Sequence, residues 1–171
     1  MNTTTATIRI FLNTWRNYNT NGADGGFWID LPCDIDEALE KLANSTGEEV
    51  DEMEVFVNDF ETEIDGLEIS ENSNVFELNE LAETIDEMDD DEIEKLLAII
   101  EAVTSDINKA IEYMDGYDYI SGITLSEYAA EAVSEMGLPE FAERYFDYEA
   151  FERDLTLEGY TETENGLLIN N

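Results

Sequence analysis

The sequence predicts an α+β protein built from three small domains: an α+β domain at residues 1–64, an acidic helical domain at residues 65–104 and an α+β domain at residues 105–171. Strand-like runs near the start, apolar residues at helical spacing in the middle and a hairpin signal near the end predict this division. The chain of 171 residues is 43% hydrophobic and 11% aromatic, which is enough apolar side chain for a folded core.

The first domain has the pattern of a hairpin followed by a helix and a third strand. Residues 7–12 and 27–31 are rich in β-branched and aromatic side chains, which favours two strands. Residues 13–26 between them are rich in Asn and Gly, which predicts a long loop. A capping box at residues 34–37 predicts the start of a helix, and residues 55–60 predict the third strand.

The middle domain has the periodicity of amphipathic helices. Ser73 or Asn74 can cap a helix that runs to about Met88, whose apolar face contains Leu78, Leu81, Ala82, Ile85 and Met88. The opposite face of that helix carries a row of acids: Glu77, Glu80, Glu83 and Glu87. Acids at residues 89–92 begin a second helix, where the helix dipole favours negative charge.

The last domain combines helices with short strands. Residues 106–114 predict a helix and residues 117–124 an extended segment. Thr124 with Glu127 forms a capping box for a helix that ends at Gly137. Three further signals predict a helix with Pro139 as its first residue, one helical turn after Asp147, and a two-residue hairpin turn at Asn165 and Gly166.

The net charge is the dominant feature of the composition. Seven basic residues stand against 44 acidic ones, so the formal charge is −37, and there is no histidine. Residues 42–108 alone carry −22, against −3 for residues 1–41 and −12 for residues 109–171. Such a chain repels nucleic acid and anionic lipid, which excludes DNA-binding and basic membrane-surface proteins. Its partner should be strongly basic.

The sequence predicts neither an enzyme nor a metal or cofactor site. Without histidine there is no Ser-His or Cys-His nucleophile pair and no imidazole metal ligand. Residues 86–92 lack the glycine of a calcium loop, and residues 22–26 lack the lysine of a phosphate-binding loop. The single cysteine, Cys33, and the absence of a signal peptide or a long apolar run predict a soluble cytoplasmic protein.

The density of acidic charge approaches that of DNA. A folded monomer of this mass exposes about 8,500 Å², which gives one net charge per roughly 230 Å². Duplex DNA carries one charge per about 1.7 Å of axis, or roughly 110 Å² on a cylinder about 10 Å in radius. The two densities are equal if the acids occupy half of the surface. A halophilic surface or an acidic chaperone for a basic partner has a similar composition, but halophilic adaptation does not explain the concentration of charge in the middle third.

Several short motifs resemble those of the ArdA antirestriction proteins. The opening resembles the family at Arg9-Ile10-Phe11-Leu12, Tyr18-Asn19, Gly22, Gly26, Trp28-Ile29-Asp30-Leu31 and Pro32. Later segments that are similar to the family are Val57-Asn58-Asp59-Phe60-Glu61, Tyr145-Phe146-Asp147-Tyr148-Glu149-Ala150-Phe151 and Arg153-Asp154-Leu155. These motifs span nearly the whole chain in a consistent order.

The resemblance implies an elongated three-domain protein that forms a homodimer through its C-terminal domain and imitates bent B-form DNA. ArdA proteins are carried by plasmids and conjugative transposons. They occupy the DNA-binding groove of the methyltransferase core of type I restriction-modification enzymes, so that incoming DNA is not cleaved and often not methylated. The alternative is an acidic binding module for another basic DNA-binding protein, such as a nucleoid or repressor protein.

If the chain imitates DNA, its carboxylates should take the place of phosphates against the Lys and Arg side chains of the enzyme. The acids that we expect to do so lie near the first domain boundary, along the helical domain and in the last domain. They are Glu48, Glu49, Asp51, Glu52, Glu77, Glu80, Glu83, Glu87, Asp89, Asp90, Asp91, Glu92, Asp115, Asp118, Glu127, Glu131 and Glu135.

Overall fold

The computed structural model describes residues 7–64 and 67–171, in which the chain forms two compact units. Unit 1 is Met1–Ile93 and unit 2 is Glu94–Asn171. Both contain helices and a small sheet, which confirms the predicted mixture of α and β structure. The arrangement in three domains stays a prediction, and its first boundary adjoins residues 65–66, which lie outside the described part of the chain.

Unit 1 is built around an antiparallel sheet of β1 (Ile8–Thr14), β2 (Phe27–Leu31) and β3 (Val55–Thr62). Their order is β2-β1-β3, so the predicted hairpin of the first two strands is confirmed and β1 is the central strand. Ile8, Ile10 and Leu12 point into the core, as the period-two alternation of a strand requires.

The prediction of a long loop at residues 13–26 was wrong, because this segment contains helix α1 (Trp15–Asn21). Thr14 caps the helix by accepting the backbone N–H of Asn17. The Asn17 side chain is buried and donates to Asn13 Oδ1 at 2.9 Å and to the backbone carbonyl of Asp24. Asn13 and Asn17, whose residue type favours a solvated loop, instead form hydrogen bonds with buried polar groups around a short helix.

Two longer helices complete unit 1 and confirm their predicted starts. Helix α2 (Ile35–Thr46) begins with Asp34 accepting the N–H of Glu37 at 3.0 Å, and it ends at Gly47, whose φ is +73°. A single turn of 3-10 helix, Val50–Glu52, leads into β3. Helix α3 (Val75–Asp86) is capped by Asn74, and it buries Leu78, Leu81, Ala82 and Ile85 of the predicted apolar face. It ends two residues before the predicted end, so Met88 lies outside it and is half-buried.

Helix α4 (Asp90–Ala102) contains the division between the two units. Its start is a reciprocal capping box, in which Glu92 Oε2 accepts the N–H of Asp89 at 3.0 Å and Asp89 Oδ1 accepts the N–H of Glu92 at 2.9 Å. This confirms the helix that the acids at residues 89–92 predicted.

Unit 2 has an antiparallel sheet of β4 (Tyr117–Ser121), β5 (Tyr160–Thr163) and β6 (Gly166–Asn170), in the order β4-β6-β5. A hairpin joins β5 to β6, as predicted, but the predicted turn residues were wrong by one position, because the two-residue loop is Glu164 and Asn165. Gly166 is the first residue of β6 and pairs with Thr163, and the backbone of Ile120 lies too close to it for a larger residue. The remaining helices are α5 (Ile107–Tyr113), α6 (Leu125–Glu135), α7 (Glu140–Arg144) and α8 (Tyr148–Leu157).

Two details of unit 2 differ from the sequence prediction. Pro139 precedes α7 as its N-cap and is not its first residue. The helix predicted after Asp147, with Tyr148, Phe151 and Leu155, is α8, which has 10 residues and is longer than the single turn expected. It lies against α6, whose Ala129 and Val133 are fully buried, so packing extends a helix that local sequence only begins. Within the described residues, no helix is both long and apolar enough to cross a membrane.

Candidate acidic interaction surface

The acids predicted to contact a partner lie at the surface of the two units. Glu48 is half-buried, and every other member of the predicted set is exposed. The members at residues 48–92 belong to unit 1, and those at residues 115–135 belong to unit 2. Each unit therefore carries its own set of solvent-facing carboxylates.

The acidic row of α3 consists of Glu77, Glu80, Glu83 and Glu87. Leu78, Leu81, Ala82 and Ile85 on the other side of the helix are buried in unit 1 and hold the row outward. Successive members rise about 4.5–6 Å along the helix axis, because they are three or four residues apart. Among the described residues, none of the ion pairs involves a member of this row. Its negative charge is therefore not neutralised by the chain's own cations.

Asn79 positions one carboxylate of the acidic row. Its buried side chain donates from Nδ2 to Glu83 Oε1 at 2.9 Å, and its Oδ1 accepts the backbone N–H of Cys33 at 2.8 Å. Cys33 lies just after β2, next to the cis peptide bond between Leu31 and Pro32. The amide thus ties the Glu83 carboxylate to the end of the sheet, and both of its polar ends are satisfied.

The four acids near the 3-10 turn differ in their availability. Glu48 accepts a hydrogen bond from the buried Thr14 hydroxyl at the start of α1, so this carboxylate also stabilises the fold. Glu49, Asp51 and Glu52 are exposed, and Glu49 is the residue before the turn. A partner can reach these three without disturbing the core.

The cluster at the start of α4 is Asp89, Asp90, Asp91 and Glu92. The last three lie in the first turn of the helix, where exposed N–H groups make the end of the helix electropositive. Asp89 and Glu92 also cap each other's backbone. Part of the repulsion within the cluster is therefore offset by the helix itself.

The predicted acids of unit 2 lie mainly on α6. Glu127, Glu131 and Glu135 are exposed and four residues apart, so they share one face of the helix. The backbone and side chain of Thr124 hydrogen-bond to Glu127, which lowers the pKa of that carboxyl below its ordinary value. Asp115 and Asp118 are exposed outside α6, on a 3-10 turn and on β4.

A family profile described as Antirestriction protein (ArdA) matches residues 10–168 of the 171-residue chain. The chain belongs to the ArdA family. The match confirms the resemblance drawn from the sequence motifs, and it carries an antirestriction function, which implies interaction with restriction enzymes. A search of curated proteins finds no match to the chain.

The ArdA match covers both units and all the predicted acids, so no part of the acidic surface lies outside the family's sequence. In the described part of the chain, no group of three or more Cys, Asp or Glu side chains is arranged to hold a metal ion.

Sequence reasoning missed a second acidic surface of this ArdA protein, on the solvent face of the unit 1 sheet. Asp30 on β2 and Glu61 on β3 both pair with Arg9 on β1, each at 3.2 Å. Arg9 Cζ lies 5.0 Å from the centre of the Trp28 ring. Asp59 is exposed and lies two residues before Glu61, so the two acids share one face of β3. This spacing is a sequence signal that could have indicated an acidic sheet face. The strand register that brings these residues together is not readable from local sequence.

Other basic residues of the ArdA chain are also occupied by local acids. Lys41 pairs with Glu37, Lys109 with Asp106, and Arg144 with Glu140, at 3.7, 3.3 and 3.1 Å. Exposed pairs of this kind contribute at most about 1 kcal/mol each. They neutralise individual carboxylates and leave the net field strongly negative.

Proposed function

We propose that this protein inhibits type I restriction-modification enzymes without catalysis, by occupying the DNA-binding groove of their methyltransferase core. Antirestriction then arises from competition with DNA, and methylation is blocked by the same competition. The observation that carries the proposal is the acidic row of α3, an exposed and unneutralised line of carboxylates on a helix whose other face is buried.

The geometry of the row supports imitation of a phosphate strand. From Glu77 to Glu87 the helix rises about 15 Å, with one carboxylate per roughly 5 Å. One strand of duplex DNA presents one phosphate per about 3.4 Å of axis. The exposed acids at residues 89–92 follow directly in sequence, so they add charge beside the end of the row.

The position of the acids also indicates a role other than stability. Asp86 and Glu87 lie at the C-terminal end of α3, and its last turn has no basic residue. The helix dipole disfavours anions at that end by about 0.3–1 kcal/mol each when they are exposed. Like charges along the row add further repulsion. A surface that costs folding free energy in this way is consistent with selection for binding.

We also propose that the active form is a homodimer assembled through unit 2. Two molecules that each carry −37 repel one another, so a stable contact between them must be apolar. Unit 2 contains the large apolar side chains with the highest exposed fractions among the described residues. These are Phe141, Tyr145 and Leu157, which are 76%, 73% and 81% exposed. The rings of Phe141 and Tyr145 lie 5.2 Å apart and form one contact surface.

The test is displacement of DNA from a purified type I methyltransferase at low and moderate salt. We expect the protein to release the DNA at about one dimer per enzyme, with weaker displacement at higher salt because the contacts are ionic. A single Glu→Gln change should do little, since each exposed pair contributes at most about 1 kcal/mol. Failure to displace DNA at either salt concentration would contradict the proposal and favour another basic partner.

A variant with eight neutralised acids tests which surface binds. It replaces the four acids of the α3 row and the four at residues 89–92 by their amides. A control variant carries the same charge change at exposed acids outside both the predicted set and the proposed dimer surface: Asp24, Asp36, Glu40, Glu54, Glu63, Glu68, Glu112 and Glu164. We expect the first variant to lose far more displacement activity than the second. Equal losses would show that only total charge matters.

A further inference from the structure

Phe76 is an exposed aromatic residue that stands in line with the acidic row of α3. It is the second residue of the helix and is 52% exposed, more than any other large apolar side chain in the described part of unit 1. Glu80, Glu83 and Glu87 follow it by four, seven and eleven residues. At about 100° of rotation per residue, these three positions fall within roughly 40° of Phe76 around the helix axis.

The solvent face of the unit 1 sheet shows how an aromatic ring and carboxylates together hold a guanidinium group. There Arg9 lies over the ring of Trp28, with its Cζ 5.0 Å from the ring centre, and pairs with two carboxylates. An aromatic face and neighbouring acids therefore already hold a guanidinium group in this protein. Beside Phe76 the ring and the carboxylates are present, and none of the ion pairs of the described chain supplies the arginine.

We propose that Phe76 is a binding residue that stacks against an arginine side chain of the restriction enzyme, while Glu80 and Glu83 accept its N–H groups. The inference rests on the proposed function and deepens it. It assigns to the acidic surface one site that recognises a particular kind of side chain, in addition to its general attraction for positive charge.

Arginine fits the site better than the other occupants. A purely apolar side chain would cover the ring but would also take the adjacent carboxylates out of water without pairing them. A lysine ammonium is a compact, strongly hydrated point charge, and it has no planar surface that could stack on the ring. The planar guanidinium can lie over the ring and donate several N–H bonds at its edge at the same time. Glu83 is already held by Asn79 through Oε1, so less ordering of this side chain is needed when it accepts a further donor.

The test compares the affinity of four chains for the purified methyltransferase: the parent, Phe76→Ala, Phe76→Leu and Phe76→Trp. We expect Phe76→Ala and Phe76→Leu to bind roughly 3- to 30-fold more weakly, because neither presents an aromatic face. Phe76→Trp should bind as tightly as the parent or more tightly. None of the substitutions changes the charge, so the dependence of affinity on salt should keep the parental slope.

The control is Tyr113→Ala, which removes an aromatic side chain that is 43% exposed in unit 2. It should retain the parental affinity, and thermal unfolding of every variant shows that the fold is intact. Full affinity of Phe76→Leu, a Phe76→Trp variant as weak as Phe76→Ala, or an equal loss in Tyr113→Ala would each overturn the assignment to Phe76. If the parent itself does not bind, the proposed function fails, which is a distinguishable result.

Discussion

Asn79 shows how one buried amide links the fold to the surface of this protein. It is 7% exposed on a helix whose other buried side chains are apolar, and both ends of its side chain are hydrogen-bonded. One partner is the backbone of Cys33, which lies 46 positions earlier in the chain. The same residue therefore accepts the backbone N–H that follows β2 and orients the Glu83 carboxylate at the surface.

Replacing Asn79 with Ala should lower the free energy of unfolding by about 1–3 kcal/mol, because the N–H of Cys33 loses its partner in a partly buried position. Urea unfolding measures this change directly. Asn72→Ala, in an exposed turn before α3, is the control and should change stability by less than about 0.5 kcal/mol. An Asn79→Ala variant with the parental free energy of unfolding would mean that water replaces the side-chain amide as partner of both the Cys33 N–H and the Glu83 carboxylate.

The burial and the hydrogen-bond partners of polar side chains such as Asn79 and Thr14 could not be predicted from the sequence. The apolar face of α3 was predictable from its spacing, because burial of Leu78, Leu81 and Ile85 follows from helix periodicity. Asn79 flanks that face, and nothing in the neighbouring sequence indicates that it is buried. Its burial depends on a partner brought close by the tertiary fold, and so does the contact between Thr14 and Glu48.

At the scale of elements, the structure follows local sequence where capping groups lie next to the helix they cap. Asp34, Asn74 and Thr124 each cap a helix whose start they predicted. Helix α1 was not predicted, because Thr14 caps it and the amides of Asn13 and Asn17 lie buried beside it. Thr and Asn are also residue types that indicate a loop. The acids of the sheet face were missed because Asp30 and Glu61 meet only through the register of β1 with its two neighbours.

The capping box of α6 gives a prediction about pH. Thr124→Ala should reduce stability by about 0.5–2 kcal/mol, because the N-cap hydrogen bond is lost. It should also return the pKa of Glu127 toward its ordinary value, since Thr124 supplies the hydrogen bonds that lower it. NMR titration of the Glu127 carboxyl measures the second effect.

The sign of the pH dependence follows from the lowered pKa. Ionised Glu127 stabilises the folded state at pH values above its unfolded pKa, and this contribution is lost as the pH falls through the lower, folded value. The parent should therefore lose more stability on acidification than Thr124→Ala does. Ser126→Ala, in the same turn of α6, should behave like the parent. A pKa of Glu127 that is equal in the parent and Thr124→Ala would contradict the assignment.

At the scale of the whole molecule, the charge of −37 opposes folding, because it is concentrated when the chain becomes compact. Added salt should therefore raise the thermal midpoint. Between about 0.01 M and about 1 M the screening length falls from about 30 Å to about 3 Å, which removes most repulsion between separated carboxylates. Thermal unfolding across a series of NaCl concentrations measures the effect.

The variant with eight neutralised acids is the control for this salt effect. Its midpoint should rise less than that of the parent as salt is added, because fewer carboxylates repel one another. A midpoint that is unchanged by salt, or that falls, would show that the few ion pairs of the protein outweigh the repulsion among its acids. The total charge and the acids of α3 and α6 were available from the sequence, whereas the meeting of acids on the face of the unit 1 sheet required the fold.

The order of strands in the two sheets has a consequence for biosynthesis. The sheet of unit 1 has its central strand first and is complete in sequence once Thr62 has been made. The sheet of unit 2 lacks its central strand until translation has passed through Gly166–Asn170. Translation proceeds at about 5–20 residues per second. A nascent chain on the ribosome therefore spends several seconds with all strands of its first sheet made and the central strand of its second sheet still missing. During that interval, ribosome-associated chaperones or proteases would meet a second unit whose sheet has not yet formed.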